Sequence, residues 1–224
     1  MFLTRFHLDP RSQGGSRALG DAQRMHAVVA AATSTASSLD AASGRTLWRL
    51  DRDDPATPVL WVVSLVRPDL DGFAADAGKV VAGVVYETKS YDALLDRLEV
   101  GQVYAFRLAA NAARSGRLSP ESKVTQRFGH VTAAQQIAWL QVRAEVFGFS
   151  LSKSTTGELD AAVVGGRRLT FFRQGQRVTI ALREFMGHLE VSDPEQLRRS
   201  LVNGIGHGRA YGCGMLTLAT PRRA

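Results

Sequence analysis

The spacing of apolar residues in the first half of the chain changes from the period of a strand to that of a helix. Near the N-terminus Phe6 and Leu8 occupy alternate positions, which predicts a short strand. Asp21 is a predicted helix N-cap, because Met25 and Val29 follow it at helical spacing. The first half therefore begins with a strand followed by a helix.

In total, four strands and two helices are predicted in this half. The strands are expected at residues 1–8, 46–50, 59–66 and 102–110, and the helices at residues 21–32 and 91–99. Residues 11–20 are polar and rich in glycine, which favours a loop, and residues 68–90 give no clear pattern. The resulting order, β-α-β-β-α-β, is that of a ferredoxin-like domain.

The second half predicts the same kinds of element around an antiparallel sheet. Thr132 precedes a helix with an apolar stripe, and Ser192 to Glu195 form a strong helix start. A hairpin is expected where residues 174–176 separate two apolar runs. Further strands are predicted at residues 149–152, 161–164, 188–191 and 215–219.

We therefore predict an α+β fold made of tandem ferredoxin-like (RRM-like) βαββαβ domains with antiparallel sheets. The first domain is expected at residues 1–113, and the second, with a basic hairpin and a glycine-rich loop, at residues 129–224. Residues 114–128 are basic and polar and contain Pro120, which predicts a linker.

Charge is distributed unevenly between these halves. Residues 1–113 contain 12 basic and 13 acidic residues, whereas residues 114–224 contain 16 basic and 8 acidic ones. The whole net charge of +7 therefore originates in the second half. A polyanionic partner, nucleic acid above all, is one explanation, and the arginine-rich composition of a GC-rich genome is the other.

Several classes of protein are not favoured. Apolar runs such as residues 59–63 are too short to span a bilayer, and charged residues interrupt the N-terminus early, so we expect a cytoplasmic protein. Cys213 is the single cysteine, which excludes an internal disulfide and a thiolate metal site. Asp51, Asp53 and Asp54 lie beside Pro55 in a predicted turn, so no metal or other cofactor is expected.

The segment of residues 204–214, GIGHGRAYGCG, has five glycines in eleven residues. Its spacing is neither that of a P-loop nor that of a dinucleotide-binding fingerprint. A tight connection between a helix and a strand is one interpretation. The other is a basic loop that grips an RNA backbone, with His207 and Arg209 as its cations.

The C-terminal GIGHGRAYGCGMLTLATP closely resembles the terminal glycine loop and strand of the CasE family, the endoribonucleases that process precursor RNA in type I-E CRISPR systems. MFLTRFHLDP at the N-terminus, TLWRL at 46–50, RLAANAAR at 107–114 and AAQQIAWL at 133–140 resemble further family segments, in the same order. This resemblance spans the chain and implies the tandem ferredoxin-like fold.

The resemblance also implies a catalytic residue. The family carries its catalytic histidine in a pattern like YxMH on the first helix, which matches Gln23-Arg24-Met25-His26 and assigns the role to His26. Several family members have tyrosine where this chain has Gln23. Glutamine orients a phosphate oxygen but exchanges no proton at neutral pH, so His26 is expected to act with neighbouring cations such as Arg24.

Further residues are candidate RNA contacts. Ser34 offers a hydroxyl beyond the same helix, and basic residues of the second half would follow an RNA stem through its phosphates. The basic candidates of the second half are Arg114, Lys153, Arg167, Arg168 and Arg173, besides His207 and Arg209 in the glycine loop. The aromatic residues Phe171, Phe172 and Trp139 are expected in the core.

The function that the resemblance implies is metal-independent cleavage of precursor CRISPR RNA at the base of the repeat stem-loop, by attack of a ribose 2′-hydroxyl. The product would stay bound within the Cascade surveillance complex, so repeat RNA and the other Cascade subunits are the expected partners. A non-catalytic RNA-binding subunit of the same fold, or a two-domain protein that binds a small anion, remain alternatives.

Overall fold

The computed structural model describes residues 1–34, 45–117, 125–173 and 175–221, and only the backbone of residues 114–117, 125–128 and 173. The strands are β1 (Phe2–His7), β2 (Leu47–Asp51), β3 (Val59–Ser64), β4 (Tyr86–Ser90), β5 (Val103–Asn111), β6 (Ala113–Arg117), β7 (Thr125–Gly129), β8 (Phe149–Leu151), β9 (Ala161–Arg173), β10 (Gln176–Val191) and β11 (Leu216–Ala219). The helices are α1 (Gln13–Gly20), α2 (Ala22–Ala32), α3 (Asp71–Ala77), α4 (Asp92–Leu95), α5 (Ala133–Ala144) and α6 (Pro194–Asn203), with 3₁₀ turns at Glu145–Phe147 and Arg209–Tyr211.

These elements form two compact units, and each unit combines one long segment with a shorter segment from the C-terminal part of the chain. The first contains Met1–Leu98 and Arg198–Met215, and the second contains Glu99–Leu197 and Leu216–Ala224. This grouping differs from the expected ranges of 1–113 and 129–224.

The first unit contains an antiparallel sheet in the order β2-β3-β1-β4. Alternate residues of three strands face one side of it, among them Phe6, Trp48 and Leu60. Met25 and Val29 of α2 pack into the same buried cluster, together with residues of α1 and α3. The sheet is therefore the support on which α2 rests.

The main sheet of the second unit has the order β11-β5-β10-β8, and β9 extends it by pairing with β10. The four strands of the βαββαβ series are β1, β2, β3 and β4 in the first unit, and β5, β8, β10 and β11 in the second. In both sheets the first strand of the series lies between the third and the fourth, so the two sheets share one topology. This agreement confirms the predicted tandem of ferredoxin-like domains.

One predicted strand has a different place from the expected one, and one strand of the first sheet was not predicted. Strand β5 was expected to close the first domain, but it pairs with β10 and β11 and so opens the second series. The first series instead closes with β4, which pairs with β1. Strand β4, with the sequence YETKS, has mostly polar residues at an exposed edge, so its hydrophobic pattern is weak.

Two segments expected to be irregular contain regular elements. Helix α1 lies within the predicted loop, because Gly14 and Gly15 pack closely: a Cβ on Gly15 would meet the Asp9 carbonyl oxygen at 1.9 Å. The expected linker contains β6 and β7, which pair through backbone hydrogen bonds that need no apolar pattern. In the described part of the chain, no helix has the length and apolar character required to cross a membrane.

Candidate active site

Helix α2 carries the candidate catalytic residue. The Asp21 carboxylate caps the helix by accepting a hydrogen bond of 2.8 Å from the Gln23 backbone N–H, as the sequence predicts. Met25 and Val29 are buried under the helix and fix its orientation on the sheet. Because this side of α2 packs on the sheet, the opposite side of the helix faces solvent.

His26 lies at the border of this exposed surface, and its side chain is half-buried. Gln23 and Ala30 are one turn away on the same side of the helix, and both are exposed. The neighbouring Ala27 is exposed as well. Ala27 and Ala30 are small as well as exposed, which leaves space beside the imidazole.

The imidazole of His26 contacts the ring of Tyr211. The two ring centroids are 5.9 Å apart, and the ring planes are inclined by 59°. Tyr211 is only 8% exposed, so its ring forms a wall beside the histidine. The glycine loop and helix α2, which are distant in sequence, therefore meet at this pair.

The glycine loop is mostly buried and bonds to itself, since the Ile205 N–H donates to the Gly214 carbonyl at 2.8 Å. All five of its glycines have positive φ. Gly212 also lies against Trp48, where a Cβ would be 2.7 Å from the indole. This geometry favours the interpretation of a tight connection between α6 and β11.

The two basic residues of the loop have different surroundings. His207 is exposed, whereas the Arg209 guanidinium donates a hydrogen bond of 2.8 Å to the Asn203 carbonyl at the end of α6. Burial, and then the nearby charge of Arg45, lowers the pKa of Arg209. Arg209 lies two residues before Tyr211, and its proximity to Arg45 was not predicted from the sequence.

Arg24 and Ser34 are both exposed. Ser34 follows the end of α2 and lies about 12 Å along the helix from His26, at 1.5 Å per residue. The Thr33 hydroxyl is already engaged, because it donates to the Val29 carbonyl at 2.8 Å.

The basic candidates of the second unit are spread over three elements. Arg168 is exposed on β9, whereas the adjacent Arg167 is half-buried, because successive strand residues point to opposite faces. Lys153 is exposed beyond β8. The side chains of Arg114 and Arg173 lie outside the described residues.

A cavity of about 280 Å³ lies beside Arg168. Its other polar side chains belong to Asn111, His130, Thr179 and Arg183. The remaining lining residues are Ala113, Gly129, Val131 and Ala181. Two arginines in one small concave site suit an anion such as a phosphate.

Arg183 and His130 are not among the candidate RNA contacts predicted from the sequence. Arg183 lies opposite Gly166 across the β9–β10 pair. Its closeness to Arg168 depends on the register of this pair, which the sequence does not give. The expectation for Phe172 was wrong, because 67% of this side chain is exposed, at the end of β9 where little covers it. Trp139 is buried as predicted, and its indole donates to the Ala113 carbonyl.

Among the described residues, no three histidine, cysteine, aspartate or glutamate side chains are grouped so that they could hold a metal ion. Asp51 is paired with Arg49 at 2.7 Å in the first unit, and the Asp54 carboxylate accepts a hydrogen bond from the Ala56 N–H. These two aspartates have structural roles.

Comparison with known proteins identifies the family. A family model described as CRISPR associated protein matches residues 1–220. The chain belongs to this CRISPR-associated family. Within it, the CRISPR-associated endoribonuclease Cse3 of Thermus thermophilus is 33% identical over 228 residues, which cover 98% of this chain and 100% of the relative. The predicted family membership is confirmed.

Solved structures of family members agree with the fold. Cse3 bound to a 19-nucleotide RNA has a TM-score of 0.79 and 31% identity, with 98% of this chain and 100% of that chain covered. Thermus thermophilus Cse3 bound to an RNA representing a pre-cleavage complex has a TM-score of 0.76 and 30% identity, with 97% and 98% covered. Cas6e of Escherichia coli K-12, at 22% identity and a TM-score of 0.65, covers 99% of this chain and 100% of its own and shares the fold.

Proposed function

We propose that this chain is a metal-independent endoribonuclease that cleaves CRISPR repeat transcripts at the base of their stem-loop, with His26 as the proton-transfer group. The observation that carries this proposal is the position of His26 on the outer side of α2, beside small residues and against a buried tyrosine. The RNA-bound structures of Cse3, which is about 30% identical, support it.

The reaction needs no external nucleophile. The ribose 2′-oxygen attacks the adjacent phosphorus, the bond from phosphorus to the 5′-oxygen breaks, and the products are a 2′,3′-cyclic phosphate and a 5′-hydroxyl. The 2′-hydroxyl loses a proton and the 5′-oxygen gains one. An imidazole near neutrality performs either transfer.

Nearby cations stabilise the negative charge that develops on the non-bridging oxygens of the phosphorane. In the first unit Arg24 is exposed on α2, two residues before His26. Arg45 lies near Arg209 of the glycine loop. Fixed positive charges lower the barrier most when they are in place before the reaction. These arginines are the candidates for that role, whereas Gln23 is limited to a hydrogen bond.

Binding of the stem-loop is assigned to the second unit, where Arg168 and Arg183 line the cavity. A duplex RNA is recognised mainly by its shape and its phosphates, which arginines contact well. The product is proposed to remain bound and to join a CRISPR surveillance complex with other subunits. The Cas6e fold is found in such complexes. The site of action is then the cytoplasm, where the transcripts are made.

The experiment that tests the chemistry uses three versions of the cognate repeat hairpin. A 2′-deoxyribose at the cleavage site removes the nucleophile, so cleavage should stop, whereas EDTA should leave cleavage of the unmodified RNA unchanged. A substrate with sulfur in place of the bridging 5′-oxygen needs no proton on its leaving group. Rescue of a His26→Ala variant by this substrate identifies His26 as the acid, and the absence of rescue identifies it as the base.

Cleavage of the 2′-deoxy substrate, or inhibition by EDTA, would replace this mechanism with a metal-activated water. A non-catalytic RNA-binding subunit is the second candidate, and the observation that favours it is the glutamine at position 23, which cannot transfer a proton. Tight binding that weakens steeply with salt, without any cleavage, would support that candidate. Weak binding without salt dependence would leave only a small-anion-binding protein.

A further inference from the structure

The side chain of His26 needs more than the packing of α2 to hold it in place. Met25 and Val29 fix the helix, but a half-buried histidine at its border retains freedom about its own side-chain bonds. Proton transfer requires the imidazole nitrogen within hydrogen-bond reach of the reacting oxygen. A contact that restricts the imidazole would therefore act directly on the rate.

Tyr211 provides such a contact and is itself firmly held. Its backbone N–H donates to the Gly208 carbonyl at 2.8 Å, which closes the 3₁₀ turn. The preceding Ala210 carbonyl accepts a hydrogen bond of 3.1 Å from the indole of Trp48. Trp48 is buried in strand β2, so the turn is attached to the same sheet that supports α2.

We infer that Tyr211 is a positioning residue for the reaction, whose ring holds the His26 imidazole in its working orientation. This inference rests on the proposed function of His26. The glycine loop then supports catalysis indirectly, because it places the ring of Tyr211 against the imidazole of His26. Its glycines permit the tight turn that brings Tyr211 to α2, where Gly208 and Gly212 flank the turn with left-handed backbones.

The ring of Tyr211 carries this role. Inclined aromatic rings with centroids 4.5–7 Å apart attract each other through the edge of one ring and the face of the other. The observed 5.9 Å and 59° lie within this arrangement. Phenylalanine would preserve the wall, and leucine would remove it while remaining apolar.

The test compares Tyr211→Leu and Tyr211→Phe in the full chain, with its cognate repeat hairpin as substrate. The single-turnover cleavage rate of Tyr211→Leu should fall by about ten- to a hundredfold, because small errors in the placement of a catalytic group have effects of this size. Tyr211→Phe should stay within about threefold of the parent. The hairpin Kd should change less than about twofold in both variants.

A matched control separates positioning from general loss of packing. Phe73→Leu removes another aromatic ring from the first unit, one that stacks on Phe6 at 5.0 Å. The NMR resonances of the His26 ring protons should move in Tyr211→Leu and not in Phe73→Leu. Equal rate losses at equal thermal destabilisation in these two variants, or unmoved His26 resonances in Tyr211→Leu, would overturn the inference.

The His26→Ala variant distinguishes the two ideas. If His26→Ala cleaves normally, the proposed role of His26 fails, and the positioning role fails with it. If His26→Ala is inactive while Tyr211→Leu cleaves at the parental rate, only the positioning role fails. In the His26→Ala background, Tyr211→Leu should cause no further loss, because it then has no imidazole to hold.

Discussion

Helix α2 and the β9–β10 pair carry their candidate functional residues in opposite ways. On α2 one half-buried imidazole stands against a buried ring, between exposed neighbours that do not titrate near neutrality. Along β9 and β10 there are several candidate arginines, and two of the arginines of this pair line one cavity. If the proposed function holds, the chemistry depends on a single group and the contact that supports it, whereas binding is distributed over many residues.

The change with the largest expected effect removes the single group. His26→Ala should lower the single-turnover cleavage rate about 10²- to 10⁴-fold, the usual cost of losing a general acid or base. Hairpin affinity should stay nearly constant, since many phosphate contacts carry it. Rates from quenched time courses and a Kd from filter binding make the comparison, and a parallel loss of affinity would contradict it.

The second prediction concerns the glycine loop, which carries Tyr211, rather than the histidine itself. Gly212→Ala should lower the free energy of unfolding by about 2–5 kcal/mol, since a left-handed backbone costs about 1–2 kcal/mol and overpacking about 1–3 kcal/mol more. The overpacking comes from Trp48, which a Cβ would approach to 2.7 Å. Cleavage should weaken as well, because the loop carries Tyr211.

Gly83→Ala is the matched control for this substitution. Gly83 lies in the same unit with a φ of +83°, and a Cβ there would meet nothing within 4 Å. It should cost only the backbone term, with cleavage unchanged. Urea denaturation of both variants measures the difference, and equal destabilisation would mean that the contact with Trp48 is unimportant.

The third prediction concerns RNA binding by the β9–β10 pair. Arg168→Glu should weaken hairpin binding about tenfold, equal to about 1.4 kcal/mol, and should reduce the slope of log K against log salt by about 0.7–0.9 for each phosphate that is no longer neutralised. Cleavage of fully bound RNA should be unaffected. Arg177→Glu makes the same charge change in the same strand pair but away from the cavity lining. Equal effects of the two substitutions would mean that the cavity has no special part in binding.

The catalytic role of His26 is implied by the resemblance to the family and stays a prediction. Its place on α2 was predictable because the cap and the buried positions are local to one helix. The contact with Tyr211 was not, since it depends on the fold bringing the C-terminal loop back to α2. Arg167 and Arg168 show a limit of a different kind. Both were expected to bind RNA, but the two-residue period of a strand separates them onto opposite faces.

The fold class was predictable because each half repeats one order of elements, but the assignment of β5 was not. A strand pattern predicts that a segment pairs and says nothing about its partner. The pairing of β5 with β10 and β11 joins segments far apart in sequence. Similarly, β4 escaped prediction because a polar edge strand lacks the alternation of a half-buried one.

The smallest expected effect concerns the departure at position 23 and sharpens the view that one group carries the chemistry. Gln23 is exposed one turn before His26, so Gln23→Tyr should fold normally. If His26 acts with cations alone, the added hydroxyl should change the single-turnover rate by less than about threefold. Gln23→Phe adds the same ring without the hydroxyl and serves as the control. A rate gain of more than about tenfold in Gln23→Tyr, absent from Gln23→Phe, would show that the site lacks a second proton-transfer group. The imidazole would then be one of two proton-transfer groups that the reaction needs, and the contrast between α2 and the β9–β10 pair would be weaker.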